Sequence, residues 1–308
     1  MRFLVLGAGS QGSYFGGTLL EGGADVTFLV RPPRVIELTE SGLVIRLPDR
    51  QIRRPVRTSL AGQIDAAYDC VLLTCKTYDL EGAIEAVTPA VGGHSVVLPI
   101  LNGLNHLTKL TRRFGRDCVL GGVSNVATAR TPEGEVIQLP GTSGTVVFGE
   151  LTGELSPRCE QIQNAFVAGG ASSRMSDSII TEMWLKLFGF TAIAAIATLT
   201  RGRAGEIATA ESSPAFVTSA IEEAAQVTTA EGYPPPAAMK DGLRELFAKT
   251  GSIYFPSILR DLEQGRPTEA EDTIGELVRR ADRHGIDVPL LRAALCNLQV
   301  HEYRRQHA

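Results

Sequence analysis

The chain has no surplus of basic charge. Lysine and arginine number 30 against 34 acids, a formal net charge of −4, and no basic arm runs along it. Such a balance raises no field for a phosphate backbone, so nucleic acid is not an expected partner. Metal-ligand spacing is missing too. The five cysteines (Cys70, Cys75, Cys118, Cys159, Cys296) are odd in number and form no ligand pair, and Cys70 and Cys75 fall in an apolar run. Small buried thiols are the usual reading of such residues, so neither a disulfide scaffold nor a metal is expected, and a reducing cytoplasm fits. Long apolar runs are scarce. Residues 187–200, LFGFTAIAAIATLT, are the most lipid-like, with Lys186 at their head, and fall short of the roughly 20 residues a spanning helix needs. The opening MRFLVLGAGSQG is broken by glycine too early for a signal sequence. A soluble protein with no membrane partner is expected. Hydrophobic residues at 44% and charged residues at 21% exclude disorder, collagen and coiled coil. A length of 308 residues suits one large domain or two ordinary ones.

What is present is an alternation of strand and helix signals. Residues 3–6 form a short, uncharged, branched run of the kind a parallel strand needs when both its faces are buried. A glycine turn follows, then a helix over 13–20 closed by Gly22-Gly23, and a second strand over 26–30 stopped by Arg31-Pro32-Pro33. Residues 70–74 and 95–100 read as two more buried strands, each with a helical stretch after it. This alternation predicts a parallel sheet with crossover helices. Residues 42–58 depart from it and suggest an inserted hairpin turning at Pro48-Asp49, while 136–149 read as edge strands of the same sheet. From 178 onward only helical periodicity is visible, interrupted at Gly232-Tyr233 and Pro234-Pro235-Pro236. The expected fold class is α/β: an N-terminal dinucleotide-binding domain over 1–175 and an all-helical domain over 176–308, with the boundary falling within 172–177.

Gly7-Ala8-Gly9-Ser10-Gln11-Gly12 fits the pattern G-x-G-x-x-G. It directly follows the first strand and opens the first helix, where glycines permit a tight turn and let backbone approach a pyrophosphate. The helix N-terminus adds free N–H donors and positive potential. The end of the second strand should show which dinucleotide binds, because an acid there bonds the ribose 2′-hydroxyl of NAD. Here the residues are Val30-Arg31-Pro32-Pro33-Arg34, with no acid. Arg31 can stack on adenine and pair with a 2′-phosphate, so NADP(H) is expected over NAD.

The stretch Thr181-Glu182-Met183-Trp184-Leu185-Lys186-Leu187-Phe188 leads into the apolar run. A helix apolar nearly all round is a buried one, and lysine is seldom buried unless paired or employed. Desolvation would lower its pKa and make its ammonium a better proton donor near neutrality. A surface pair with Glu182, four residues earlier, is the competing reading. Asn102-Gly103 and Lys76 each follow a predicted strand and so belong at the carboxyl edge, where open α/β sheets bind ligands. Ser257 and Asp261 share a helix face. Thr268 and Glu271 have the spacing of a capping box, which would place Glu269 in a first helical turn.

Together these pieces resemble the ketopantoate reductase (2-dehydropantoate 2-reductase) family over nearly the whole chain. The matching segments are the glycine turn, Leu29-Val30-Arg31, Thr74-Cys75-Lys76, Leu101-Asn102-Gly103, Glu182 to Leu187, and the late Ser257, Asp261, Thr268-Glu269 series. The resemblance implies a Rossmann domain joined to a helical one, and reduction of a 2-keto acid by NADPH; for 2-dehydropantoate this is a step of pantothenate biosynthesis. It implies that Lys186 is the catalytic lysine, donating to the substrate carbonyl as charge develops there. Asn102 and Glu269 take catalytic and cofactor-binding roles, and Lys76 stands near the cofactor with Gly7, Ala8, Gly9, Ser10, Gln11, Gly12 and Arg31. Ser257 contacts substrate, and a homodimer fits the helical domain by the same resemblance.

The chain departs from the family where the substrate should lie. The family has asparagines four and eight residues after its lysine, whereas here Phe190 and Ala194 occupy those positions, and Ala204 replaces a further one. Lost amide hydrogen bonds cost about 1 kcal/mol each, and Phe190 adds an apolar wall. A more apolar keto substrate is therefore expected, with Arg201 or Arg203 left to hold a carboxylate. A β-hydroxyacid dehydrogenase, which shares the plan, and a non-catalytic NADP(H)-binding regulator with Phe190 filling the pocket are the other readings.

Overall fold

The computed structural model describes residues 1–64, 66–139 and 143–307. They divide into two compact units: the first spans Met1–Leu101 and His106–Ile180, the second Asn102–Asn105 and Thr181–Ala308.

In the first unit β1 (Arg2–Leu6), α1 (Ser10–Glu21), β2 (Asp25–Leu29) and α2 (Pro32–Ser41) come first. They are followed by β3 (Leu43–Arg46), β4 (Gln51–Arg54), β5 (Arg57–Ser59), β6 (Cys70–Leu73), α3 (Leu80–Val87), β7 (Val96–Pro99) and α4 (Asn105–Phe114). The unit closes with β8 (Leu120–Asn125), β9 (Thr128–Arg130), β10 (Val136–Gln138), β11 (Thr145–Glu150), α5 (Pro157–Ala168) and β12 (Ser173–Met175). The main sheet has the order β5-β2-β1-β6-β7 and every pairing in it is parallel. Its strands carry branched apolar residues on both faces because helices and loops cover both: Phe3 and Val5 join one apolar cluster, Leu4 and Leu6 another. Chain order reverses between β1 and β6, so their carboxyl ends form the topological switch point of the sheet.

Two expectations need correction here. Residues 42–58 do contain the hairpin, β3 paired antiparallel with β4, but Arg57–Ser59 leaves it to become β5 of the main sheet. The strands within 136–149 are not edges of that sheet. β10 joins the hairpin in a four-stranded sheet, β4-β3-β10-β9, and β11 joins β12-β11-β8. The main sheet ends at β7, beyond which a single bridge, Val97 with Val119, continues the pairing; Pro99 closes the strand without a donor of its own. The second sheet exists because α1 is flanked on two sides. A Cβ on Gly16 would strike Phe28 of the main sheet, and one on Gly17 would strike Ile45 of the hairpin, so this glycine pair lets one helix serve two layers.

The second unit is helical throughout its described residues: α6 (Ile179–Thr200, whose first turn begins in the first unit), α7 (Ala204–Ile207), α8 (Ser213–Ala230), α9 (Ala237–Ala248), α10 (Ser257–Glu263), α11 (Ile274–His284) and α12 (Pro289–Gln306). Helix α6, at 22 residues, is longer than the apolar run suggested and passes the length and composition test for a membrane span. It is nevertheless a core helix, since Phe188, Ala192, Ala195 and Ile196 have no exposed surface. The expected helix start at Thr268 is also absent. Residues 266–269 are irregular and α11 begins at Ile274. The Thr268 amide and hydroxyl both donate to Glu302 of α12, at 2.6 and 3.0 Å, and Thr273 donates to the Glu269 carbonyl at 2.7 Å. Glu302 thus accepts the Thr268 amide that the Glu271 carboxylate would have accepted in a capping box, and the Thr268 hydroxyl donates to it as well.

Candidate active site

The glycine turn is built as its pattern requires. Gly7 has φ +91°, and its amide donates to Leu29 of β2 at 2.9 Å, tying the turn to the neighbouring strand. A Cβ on Gly12 would lie 1.9 Å from the Gly7 carbonyl oxygen and 2.5 Å from Thr74 Oγ1, whereas one on Gly9 would meet nothing within 4 Å. The inner glycine therefore packs turn against helix, and the outer one leaves backbone open to a ligand. Ser10, Gln11 and Gly12 form the first turn of α1, which contains no acid, so the positive end of the helix is left uncompensated. Thr74, at the end of β6, donates to the Leu6 carbonyl at 2.8 Å. Lys76 stands two residues later, half-buried, ahead of a short turn over Thr77–Asp79. Turn, Thr74 and Lys76 thus lie at the carboxyl ends of β1 and β6, and an anionic dinucleotide fits them.

Arg31 lies just past β2 at the N-cap of α2, with 79% of its side chain exposed and its guanidinium 3.0 Å from the Asp79 carboxylate. Arg34, which sequence reasoning passed over, is the more enclosed of the two, with 12% of its side chain exposed. Its Nε donates to the Ala8 carbonyl at 3.1 Å and its other nitrogens reach Gly134 and Glu37, so it braces the glycine turn from behind. Burial pulls its pKa below the ordinary arginine value. The only signal in the sequence was an arginine at the start of a helix, which is usually solvated.

The second unit gathers the other polar candidates. The short segment Asn102–Asn105 belongs to it by contacts, although its neighbours on both sides in the chain belong to the first. Asn102 Nδ2 donates to Glu269 Oε2 at 3.1 Å, and Glu269 is buried. Gly103 has φ +77°, and a Cβ there would lie 2.0 Å from the Asp272 carbonyl oxygen, so only glycine allows this turn to seat against the segment before α11. Lys186 is half-buried on α6, in a stretch whose Trp184, Leu187 and Phe188 are buried. Burial lowers its pKa to about 8, against the opposing pull of the Glu269 carboxylate. The carboxylate that acts on Lys186 is that of Glu269, 83 residues further along the chain, and not only a neighbour on its own helix.

Asn102, Glu269 and Lys186 thus form one electrostatic group, whereas the glycine turn, Arg31 and Lys76 belong to the other unit. Phe190, one turn along α6 from Lys186, is half-buried. Ala194 and Ala204 are enclosed, at 0% and 1% exposure, so neither presents surface to a ligand. Ser257 opens α10 and is half-buried; Asp261 on the same helix is held by Arg266 at 2.7 Å. Arg203 is exposed, and its guanidinium carbon lies 5.7 Å from the Phe255 ring centre. Arg201 is exposed with φ +56°, the one non-glycine residue in the left-handed region among the described residues.

The family model described as Ketopantoate reductase PanE/ApbA matches residues 3–153, and its C-terminal counterpart matches 178–302. The chain is 35% identical over 305 residues to an uncharacterized oxidoreductase, YkpB, of Bacillus subtilis, covering 98% of this chain and 99% of that one. It is 31% identical to the 2-dehydropantoate 2-reductase of Halobacterium salinarum, over 95% of this chain and 96% of the relative. The crystal structure of a PanE/ApbA family ketopantoate reductase from Ralstonia eutropha superposes with a TM-score of 0.90 at 27% identity, covering 100% of both chains. The chain belongs to the ketopantoate reductase family, oxidoreductases that act on a CH–OH/keto pair.

Proposed function

We propose that this chain is an NADP(H)-dependent reductase of a 2-keto acid more apolar than 2-dehydropantoate, with Lys186 as the proton donor. The observation that carries the reading is the Lys186 ammonium, desolvated to a pKa of about 8 in the company of Glu269. At neutral pH that group is still mostly protonated, yet it releases its proton far more readily than an exposed lysine. The bound nicotinamide supplies the hydride. Lys186 donates to the carbonyl oxygen and stabilises the charge that collects there. Glu269 keeps the lysine charged and, through the 3.1 Å bond to Asn102, holds that amide in one orientation. Ser257 and Lys76 complete the substrate and cofactor contacts respectively. The five free thiols suit a cytoplasmic setting.

Phe190 supports the substrate class, as an apolar side chain one helical turn from the proton donor. A panel of 2-keto acids followed by NADPH absorbance tests it: apolar or aromatic members should exceed 2-dehydropantoate in kcat/KM. Phe190→Asn should shift the preference toward hydroxylated keto acids by about tenfold, the worth of one recovered hydrogen bond. Equal turnover of 2-dehydropantoate and apolar acids by the unaltered enzyme would remove the substrate reading.

Arg31 supports the choice of NADP(H). Its exposed pair with Asp79 at 3.0 Å is of the kind worth only about 0–1 kcal/mol, so a 2′-phosphate can displace it. Arg31→Ala should weaken NADPH about tenfold and leave NADH within about twofold, as measured by titration calorimetry. A parallel loss for both nucleotides would mean that Arg31 does not read the phosphate.

A further inference from the structure

Helix α11 carries an ionic network that the proposed reaction does not use directly. Glu276, 2% exposed, accepts from the Leu104 amide at 3.0 Å, two residues beyond Asn102. Its other oxygen takes Arg280 at 2.8 Å, one helical turn along. The Arg280 guanidinium also reaches Glu231 at 2.5 Å, and its central carbon lies 4.5 Å from the ring centre of Trp184. Trp184 stacks on Tyr233 with ring centres 4.9 Å apart and planes at 13°. It stands two residues before Lys186 on α6.

Stability alone gives little reason to bury such a set. A buried ion pair replaced by fitting apolar side chains is often neutral or better, because desolvating two charges offsets most of their attraction. Such a network does supply directional bonds that fix positions. One arm of this one ends on the turn that presents Asn102, the other on the segment of α6 that presents Lys186. We infer that Glu276 is a positioning residue: it joins the Asn102 turn to the Trp184–Lys186 segment of α6 and so sets the distance between the two groups proposed to orient and protonate the substrate. The inference rests on the roles given above to Lys186 and Asn102, and it is a property of this chain's own side chains.

The test compares Glu276→Gln, Glu276→Asp and Glu276→Ala in the full chain. A displacement of about 1 Å at a reacting centre costs up to a hundredfold in rate. Glu276→Gln keeps the volume and an acceptor for Leu104 but loses the charge facing Arg280. It should lower kcat about tenfold or more, with KM for the best keto acid and the NADPH dissociation constant each within about threefold. Glu276→Asp, which keeps the charge, should recover most of that loss. Trp184 is the chain's single tryptophan, so its emission in the nucleotide-free protein reports the α6 end of the network separately from turnover, and it should change in Glu276→Gln. If Glu276→Ala does not fold, the other two decide. A kcat within about threefold of the parent in Glu276→Gln overturns the inference. So does a parallel fall of kcat, NADPH affinity and Tm, which would mark general loosening. Lys186→Ala separates the two levels: if it retains turnover, the reaction assigned above is wrong, whereas an inactive Lys186→Ala beside an unaffected Glu276→Gln removes only the network's role.

Discussion

Lys186→Ala lowers kcat for ketone reduction by about a thousandfold or more and leaves NADPH affinity within about twofold. A positioned general acid contributes on the order of 10²–10⁴, and loss of a donor aimed at a developing oxyanion alone costs about 10²–10³. Both functions reside in one ammonium here, so the effect falls toward the upper end. The glycine turn proposed for the nucleotide belongs to the other unit, and Lys186 is assigned to the carbonyl and not to the phosphates, so binding should be spared. Steady-state kinetics with calorimetric NADPH titration checks both halves. An alanine variant that retains a tenth of the parent's turnover would assign the proton to another group, and a parent protein that binds NADPH but reduces no carbonyl would leave the regulator reading in place.

The same ammonium fixes the pH profile. Its pKa is lowered to about 8 by burial, and reduction needs the protonated form. kcat/KM for reduction should be level below about pH 7 and fall about tenfold per unit once pH exceeds 8. Oxidation of the hydroxy acid needs the neutral amine as base, so it should rise through the same interval and level off above it. Glu269 opposes the shift, so Glu269→Gln should move the break to lower pH. A profile that did not move in that variant would mean that the carboxylate does not act on the lysine.

How far the site could be read in advance depended on whether each residue's surroundings were local in sequence. The glycine turn and the strands around it were legible because a parallel strand buried on both faces is an unbroken apolar run, and its turn has few alternatives. Lys186 was legible as an anomaly, a charge at the head of a helix with no polar face. The structure adds the 167-residue separation across which Asn102 meets Glu269, which no local pattern records. Thr268 to Glu271 misled because its spacing fits a capping box, yet the competing acceptor, Glu302, lies on the last helix. Strands β10 and β11 were legible as strands but not as to partner, since alternation reports a half-buried face and not which sheet covers it. Glu276 and Arg280 look like an ordinary surface pair one turn apart, and only the low exposure of their side chains, 3% and 18%, distinguishes them.

Gly12→Ala and Gly9→Ala should separate packing from ligand access within the glycine turn. At Gly12 a methyl group would sit 1.9 Å from the Gly7 carbonyl oxygen. That contact is with backbone, so no rotamer relieves it, and turn or helix must move. Overpacking of this kind costs about 1–3 kcal/mol, which lowers Tm by several degrees in a unit of this size. The displaced turn no longer aims its amides at the phosphates, and NADPH affinity should fall about a hundredfold. At Gly9 a methyl group meets no protein atom within 4 Å, so Tm should stay within about 1 °C. NADPH affinity should still fall, by about tenfold or more, since the pyrophosphate approaches the backbone closely at the second glycine of such turns. Paired thermal melts and NADPH titrations distinguish the cases. If Gly9→Ala binds NADPH as the parent does, the phosphates do not approach the turn at that residue, and the dinucleotide lies elsewhere along the carboxyl edge of the sheet.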